Sequence, residues 1–357
     1  MQFLARAIAL LKVLNIMVET KVTSFRTGLM SGEVEVVEMQ NDLLKLSILA
    51  GRGADLVEII YKPKDFNLAW QSNTGWPVIK TPVDHPADVE SFLDGYPGGW
   101  QSVFPNGGAP SEFNGIAFGQ HDEVATLAWS YEVLVDDENE LSIKFLTNTR
   151  KLKFTYEKTF TLQKGIASVF ISERISNLTK ETVKTMWGNH ISFGEPFIDE
   201  FSTIDIGLEA RVIPHEEAIS SVGRRVNSNE EFAWPKAIGQ DGTPIDFSKI
   251  PPRKTKSEIL YLHNLKDSKY SVISPTIGLT VQVTWDGKNF PYLWFWQEFG
   301  AANEYPWFGK HFNIGLEPFS SYPTNGLAQA VENGSALVFG PLEEKTSFIE
   351  YKVLEMS

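Results

Sequence analysis

The 357-residue chain is 42% hydrophobic and 22% charged, in the ordinary range of a globular protein with a sizeable buried core. Its net charge of −13 argues against nucleic acid as a partner, because clustered Lys and Arg side chains bind phosphate backbones. It has no cysteine, which excludes disulfides, thiolate nucleophiles and zinc sites built on sulfur.

The chain begins with an apolar stretch, MQFLARAIALLKVLNIM, which Arg6 and Lys12 interrupt. A membrane-spanning helix needs about 20 apolar residues, and a secretory signal needs an unbroken apolar segment followed by a small-residue cleavage site. Neither pattern is present, so we expect no membrane segment and a location in the cytoplasm. We interpret residues 1–16 as a short extension, with Met17 as an alternative start, and residues 17–357 as one domain.

Short runs rich in Val, Ile, Thr and aromatic residues dominate the rest of the chain, bounded by Gly, Pro, Asn and Asp. The segment LSIKFLTNT alternates apolar and polar residues, as a half-buried antiparallel strand does. FTYEKTFTL and the following IASVFISERISN predict a hairpin, and no amphipathic pattern longer than about three helical turns follows residue 17. The predicted strands include Glu33–Met39, Leu43–Leu49, Leu56–Tyr61, Thr126–Val135, Leu141–Thr147, Phe154–Leu162, Ser168–Ser176, Val183–His190, Leu279–Thr284, Tyr292–Gln297 and Ala336–Phe339.

Many short strands without interleaved helices predict an all-β sandwich or barrel, and their number favours two large packed sheets. Residues 62–120 and 205–260 are long and rich in Gly, Pro and polar residues. Because loops of that length are unusual unless they are functional, we expect both segments to wall a cleft. No linker-like composition divides the chain, which favours a single domain.

The chain has ten Trp residues, and several lie near polar motifs. Aromatic faces pack against the C–H faces of sugars as they do against other apolar surfaces. The alternative for each Trp is an ordinary place in the core, since Trp is highly buried on average. The Trp residues concerned are Trp129, Trp187, Trp294, Trp296 and Trp307.

Three motifs place histidine or carboxylate in unusual surroundings. In FGQHDEVATLAW, His121 follows a glycine-containing turn, and in VKTMWGNHISFGEP, His190 ends a predicted strand beside Asn189. In HFNIGLEPFSSYP, Glu317 lies in an apolar strand and shares a face with His311. A buried carboxylate is costly unless it is paired, hydrogen-bonded or functional. Taken alone, each histidine is more often a packed or surface residue, and Glu317 could be a structural carboxylate.

Together and in this order, the motifs resemble the aldose 1-epimerases, the galactose mutarotase-like family. The resemblance extends over most of the chain, from about residue 30 to residue 345, and includes an early strand pair. Its segments are GRGADLVEIIY at 51–61, GQHDE at 119–123, GNHISFG at 188–194, LTVQVTWDGKNFPYLWFWQ at 279–297 and IGLEPFSSYP at 314–323.

This resemblance implies a large antiparallel two-sheet β-supersandwich and the interconversion of α and β anomers of a sugar without metal or cofactor. It implies that His190 protonates the ring oxygen and that His121 is the second histidine there. Glu317 is then the base that takes the proton from the C1 hydroxyl, and Asp286 accepts a hydrogen bond from a sugar hydroxyl. A chain without a dinucleotide fingerprint or a P-loop is consistent with cofactor-free chemistry.

The sequence departs from the family pattern at two places that bear on the substrate. Asp122 follows His121 where many relatives have glycine, and SVFPNGGAP lacks the arginine that holds sugar hydroxyls in simple hexose mutarotases. Arg52 or Asn106 is a candidate for that arginine's role. The other side chains that we expect to contact the sugar are Asn189, Gln297, Trp296 and His311.

The predicted partner is thus a monosaccharide or a modified sugar, and the sequence leaves both its identity and the assembly open, with a homodimer as one alternative. Two other functions stay open. One is a carbohydrate-binding protein without turnover. The other is a glycoside hydrolase or lyase on a similar sandwich, in which Asp286 and Glu317 would form the required carboxylate pair, about 5–9.5 Å apart.

Overall fold

The computed structural model describes residues 23–32, 34–73, 75, 90–207, 209–228 and 230–356. Residues 1–16, which we interpret as an extension, lie outside the described residues. As the sequence predicts, the described helices are short: α1 (Glu90–Leu93), α2 (Leu327–Glu332) and a 3-10 turn (Lys62–Lys64).

Strands make up most of the described chain. They are β1 (Ser24–Ser31), β2 (Val34–Gln40), β3 (Leu44–Leu49), β4 (Asp55–Tyr61), β5 (Phe66–Asn67), β6 (Trp100–Val103), β7 (Ser111–Phe113), β8 (Ile116–Phe118), β9 (Ser130–Asp136), β10 (Glu140–Asn148), β11 (Phe154–Gln163), β12 (Ser168–Asn177), β13 (Val183–Thr185), β14 (Gly188–Gly194), β15 (Thr203–Asp205), β16 (Arg211–Pro214), β17 (Phe232–Ala233), β18 (Lys236–Ile238), β19 (Pro244–Asp246), β20 (Glu258–His263), β21 (Lys269–Ser274), β22 (Leu279–Trp285), β23 (Tyr292–Glu298), β24 (Asn313–Phe319), β25 (Leu337–Phe339) and β26 (Glu344–Glu355).

Two antiparallel sheets form the body of the protein and confirm the predicted all-β sandwich. The larger has twelve strands in the order β1-β2-β3-β4-β6-β14-β24-β23-β20-β16-β17, with β5 paired to β4. The smaller has eight strands in the order β15-β21-β22-β26-β12-β11-β10-β9. The main hydrophobic core draws residues from both sheets and therefore lies between them.

The period-two pattern of the sequence explains how the strands bury this core. Along β11, Phe154, Tyr156, Lys158, Phe160 and Leu162 are buried, and the residues that alternate with them are more exposed. The predicted hairpin is confirmed, because β11 pairs antiparallel with β12 from Phe154 opposite Asn177 onward. One face of each strand thus packs inward while the other faces solvent.

Three strand predictions differ from the structure. The predicted strand over 183–190 is two strands, since β13 pairs with β25 in a small separate sheet and β14 enters the large one. The strand predicted from Thr126 begins at Ser130, because turns occupy the preceding residues. The longest strand, β26, is absent from the predicted set, since the charged residues of its exposed face obscure the apolar alternation.

The outer face of the large sheet carries a second apolar cluster, roofed by loops instead of by another sheet. Four adjacent strands of this face, β14, β24, β23 and β20, form the floor of a cavity. Segment 62–120 walls this cavity, as expected from its sequence. Segment 205–260 contributes Ile259 to the floor and otherwise lines a separate surface cavity around Phe232, which corrects our expectation for that segment.

Candidate active site

A cavity of about 360 Å³ lies on the outer face of the large sheet. Its floor is formed by strand residues His190, Ile259, Trp294, Trp296 and Glu317. Helix α1 and the surrounding loops supply the walls, which are Phe92, Leu93, Tyr96, Gly108, Ala109, Pro110, Gln120, His121, Tyr305, Pro306, Trp307 and Thr324.

The floor brings His190 and Glu317 together because β14 and β24 are antiparallel neighbours. Gly188 pairs with Phe319 and Ser192 with Gly315, so His190 lies opposite Glu317. The distance between His190 Nε2 and Glu317 Oε1 is 3.5 Å. Gly315 makes room for the carboxylate, since a Cβ atom at that position would overlap Glu317 Oε1.

Burial controls the protonation of this pair. Glu317 is 2% exposed and His190 is 6% exposed, and Glu317 Oε2 has no hydrogen-bond partner among the described residues. Burial raises the pKa of Glu317 well above its usual value and lowers the pKa of His190 to about 4, because both charged forms lose hydration. Between the two pKa values the pair holds one proton, and burial favours its place on the carboxyl group.

Two hydroxyl groups face the other ring nitrogen of His190. Tyr96 Oη and Ser192 Oγ each lie 3.4 Å from Nδ1, and the two oxygens are 2.6 Å apart. Burial raises the pKa of Tyr96 well above its usual value, so the phenol keeps its proton. When one of the two hydroxyls donates to Nδ1, the ring proton is left on Nε2, which faces Glu317.

His121 reaches the cavity from the loop that follows β8. Its Nδ1 accepts a hydrogen bond of 3.1 Å from the backbone N–H of Gly108, so the neutral ring carries its proton on Nε2. Burial, reinforced by His190, lowers the pKa of His121 well below its usual value. The two imidazole rings are in edge-to-face contact, with centroids 5.3 Å apart.

The local structure explains why Asp122 follows His121. His121 has a left-handed backbone with φ of 50°, which is uncommon for a residue with a side chain. Asp122 accepts a 3.1 Å hydrogen bond from the N–H of Gly119 and forms an ion pair with Lys151. These contacts close the turn around His121 and hold its ring towards the cavity.

Two predicted sugar contacts, Asn189 and Gln297, lie on the opposite face of the sheet from the cavity, which corrects that expectation. Successive side chains of a strand point to opposite faces, so the neighbours of His190 and Trp296 turn into the core. Asn189 donates to Glu173 at 3.0 Å there, and Gln297 accepts from Arg225.

Three further predicted contacts do not line the cavity. Asp286 occupies a turn after β22 of the smaller sheet, where its carboxylate accepts hydrogen bonds from Lys288 N and Asn289 Nδ2. Asn106 uses its amide to bridge loop backbones, with bonds to Ala109 O, Gly119 O and Leu327 N. Arg52 is 3% exposed in the turn between β3 and β4 and lies behind the cavity wall, where its guanidinium donates to Phe92 O at 3.5 Å. The expectations that these three side chains line the cavity are therefore corrected.

Trp296 lies on the cavity floor where the sequence predicts it, whereas His311 lies one layer behind. His311 precedes β24 and therefore does not continue the strand face of Glu317. Its ring packs edge-on against Trp307, with centroids 5.0 Å apart, and Nε2 accepts from the N–H of Asn73 at 3.4 Å. It supports the aromatic wall and does not itself line the cavity.

Several residues that line the cavity or contact His190 are absent from the predicted site. Ser192 could have been found, because it lies two residues after His190 on the same strand face. Tyr96, Gln120, Tyr305 and Thr324 come from irregular loops, where no periodicity indicates the direction of a side chain. Among the five Trp residues near the motifs, Trp129 and Trp187 belong to the core, and Trp294, Trp296 and Trp307 line the cavity.

Within the described residues, no group of three or more His, Asp and Glu side chains is arranged to hold a metal ion. No helix in that part of the chain is long and apolar enough to cross a membrane.

Comparison with solved structures identifies the fold. A candidate aldose 1-epimerase from Klebsiella pneumoniae superposes with a TM-score of 0.72 at 14% identity, covering 96% of this chain and 86% of its own. A galactose mutarotase-like protein from Clostridium acetobutylicum gives 0.65 at 13% identity, with 94% and 100% covered. A candidate mutarotase from Salmonella typhimurium gives 0.64 at 17% identity, with 94% and 95% covered.

The sequence comparisons give a family without an assigned activity. No curated protein matches the chain significantly. Residues 31–353 match the family profile of the domain of unknown function DUF4432, which covers most of the chain. The fold is therefore galactose mutarotase-like, and the chain belongs to the DUF4432 family.

Proposed function

We propose that this protein is an aldose 1-epimerase that interconverts the α and β anomers of a monosaccharide or a modified sugar. The observation that carries the proposal is the buried pair of His190 and Glu317, 3.5 Å apart on the floor of the cavity. The names of the similar structures, mutarotase-like proteins and candidate aldose 1-epimerases, support the same reaction.

The reaction needs one acid and one base on either side of a cyclic hemiacetal. In the proposed mechanism Glu317 removes the proton from the C1 hydroxyl while His190, assisted by His121, protonates the ring oxygen. The C1–O5 bond breaks, and C1 becomes an aldehyde carbon that is double-bonded to its former hydroxyl oxygen. Rotation about C1–C2 presents the other face of the carbonyl, and ring closure returns both protons to the groups that supplied them. Each positioned acid or base contributes about 10²–10⁴-fold to such a step.

A pair that holds one proton meets the requirements of this cycle. With the proton on His190, Glu317 is the ionised base, and each group regains its starting state when the ring closes. Burial favours the proton on Glu317, so the working state, in which Glu317 is ionised and both ring nitrogens of His190 carry protons, requires transfer of this proton to the imidazole.

The cavity composition favours an epimerase over the two alternatives. Glu317 is the one carboxylate among the described lining residues, whereas glycoside hydrolysis normally uses two. Asp286, the predicted second carboxylate, lies in the turn after β22 of the other sheet. A binding protein without turnover would have little use for a buried carboxyl group with an unsatisfied oxygen, because its burial costs free energy.

The test is anomer exchange with a panel of free aldoses, followed by polarimetry or magnetisation-transfer NMR. We expect acceleration for at least one aldose and its loss in Glu317→Gln. Asp286→Asn is the matched control, since it neutralises a carboxylate outside the cavity and should leave the rate unchanged. Sugar binding without any acceleration across the panel would contradict the proposal and favour the non-catalytic alternative. The cytoplasmic location and the single domain over 17–357 stay predictions.

A further inference from the structure

The loop between β23 and β24 extends the aromatic wall of the cavity to the protein surface. Trp307 lines the cavity and packs on Trp296 of the floor, with ring centroids 5.1 Å apart. Beyond it, Tyr305 is 46% exposed and Phe308 is 56% exposed, and their rings are 6.1 Å apart. We call Tyr305 and Phe308 the aromatic rim.

Neither burial of its ring nor the preference of its backbone explains why a phenylalanine occupies position 308. Its φ of 48° lies in the left-handed region, which is unusual for a bulky aromatic residue, and more than half of its surface is exposed. A costly backbone conformation that displays an apolar ring to solvent is a feature of binding surfaces more than of folding.

The rim is held in place from both sides. Glu304 accepts hydrogen bonds of 2.8 and 3.0 Å from the N–H and hydroxyl of Ser221, and these bonds lower the pKa of Glu304 to about 2. On the other side, the Tyr305 hydroxyl donates to Asp94, just after α1. The two exposed rings are therefore presented on a braced loop, which lowers the entropy lost when a ligand binds.

The exposure of the cavity and rim residues indicates the direction in which a bound ligand extends. It rises from Glu317 at 2% and Trp296 at 8% on the floor to Tyr305 and Phe308 at the surface. An epimerase substrate must place its reducing carbon at Glu317 on the floor. The far end of the sugar then points along the aromatic wall towards the rim.

We propose that the aromatic rim binds the second ring of a reducing oligosaccharide whose first ring occupies the cavity. This inference rests on the proposed epimerase function, and it names the substrate class of that site. A pyranose ring combines an apolar C–H face with hydroxyl groups. The rim offers the matching surfaces, an aromatic pair beside the exposed Asp94 carboxylate.

The experiment compares kcat/KM for three sugars. They are the fastest aldose of the panel and two disaccharides with that aldose at the reducing end, joined through O4 or O6. We expect at least one disaccharide to exceed the monosaccharide by about three- to tenfold, the effect of stacking one ring face on aromatic surface. Phe308→Asn removes the ring and suits the left-handed backbone, because Asn tolerates positive φ. It should lower the disaccharide value to that of the monosaccharide and leave the monosaccharide unchanged.

Two further variants separate loss of the ring from damage to the loop. Phe308→Tyr keeps an aromatic face and should keep the preference, and Phe201→Asn removes a ring that is 74% exposed in another turn and should change nothing. Equal kcat/KM values for all three sugars in the wild-type protein would contradict the proposed role of the aromatic rim. Equal losses of kcat/KM for all three sugars in Phe308→Asn would also contradict it. Neither result would contradict the proposed epimerase function. Absence of turnover for every sugar would instead overturn the proposed function.

Discussion

The two faces of β14 bury polar groups in opposite ways. Asn189 points to the inner face and meets the buried carboxylate Glu173, whereas His190, the next residue, points to the outer face and meets Glu317. Both carboxylates are 2% exposed. The difference between them is in their partners.

Around Glu173 on the inner face, both carboxylate oxygens have partners. Glu173 Oε1 accepts from the Tyr156 hydroxyl at 2.6 Å and from Ser102 at 3.3 Å, and Oε2 accepts from Asn189. Lys158 Nζ completes the network through Ser102 at 2.9 Å. A buried polar network with all members satisfied stabilises one arrangement of the core.

On the outer face the partners are missing. Glu317 Oε1 has one contact, at 3.5 Å, and Oε2 has none among the described residues. Burial without compensation destabilises the folded state unless something else requires the group. The comparison indicates that Glu173 serves the fold and that Glu317 serves a ligand, and the same Glu→Gln change at each position tests this.

The largest expected effect is on activity. Glu317→Gln should lower kcat/KM for anomer exchange by about 10²–10⁴-fold, because an amide cannot accept the proton of the C1 hydroxyl. Glu173→Gln, measured well below its melting temperature, should keep most of the activity, since it does not line the cavity. Comparable losses in both variants would remove the distinction between the two faces.

For stability we expect the opposite order, with the larger effect in Glu173→Gln. A Gln at position 173 has one acceptor for three donors and places an N–H₂ group against them, so we expect a loss of about 3 kcal/mol in the free energy of unfolding. Glu317→Gln should be close to neutral, because the amide replaces a buried carboxyl group that already lacks a partner at Oε2. Denaturant unfolding followed by tryptophan fluorescence measures both. A strongly destabilised Glu317→Gln would mean that Glu317 is structural.

The outer pair should also set the pH dependence of kcat/KM. Below about pH 4, where His190 also binds a proton, the pair has two protons and no base. Above the raised pKa of Glu317 the pair has lost its proton and has no acid. We therefore expect a broad bell with limbs of about tenfold per pH unit on either side, whose apparent pKa values belong to the pair. A single acidic limb near pH 6.5, typical of an exposed histidine, would contradict the coupling.

The smallest expected effect comes from Ser192, which contacts His190 but does not line the cavity. Ser192→Ala removes one of the two hydroxyls near Nδ1 and should lower kcat by about three- to tenfold, the value of one hydrogen bond. KM should change little, and ¹⁵N shifts of His190 should show more of the Nδ1-protonated tautomer. Ser192→Thr keeps the hydroxyl and should restore both readouts. An unchanged tautomer in Ser192→Ala would assign the orientation of His190 to Tyr96 alone.

Much of the fold could be predicted from the sequence because burial alternates along a strand. The β11–β12 hairpin and most strand bounds agree with the structure within a few residues. The pattern fails where the exposed face is highly charged, as in β26, and where one apolar run divides between two sheets, as in β13 and β14.

The candidate site was predictable in part. His121, His190 and Glu317 come together in one cavity, as their family order implies. Asn189 and Gln297 are sequence neighbours of the cavity residues His190 and Trp296. Because successive side chains of a strand point to opposite faces, both lie on the other face of the sheet. Asp286 lies in a segment that resembles the family pattern. The strand before it, β22, belongs to the smaller sheet, so the turn that contains Asp286 does not line the cavity.

The sequence by itself determined that the chain is a β-sandwich and that Glu317 would be buried, because both follow from local apolar patterns. Only the tertiary structure decided which polar groups meet. The antiparallel register of β14 and β24 sets His190 against Glu317, and loops distant in sequence bring in His121, Tyr96 and Tyr305. Pairing between strands far apart in the chain depends on the packing of the whole sheet, which no local pattern encodes.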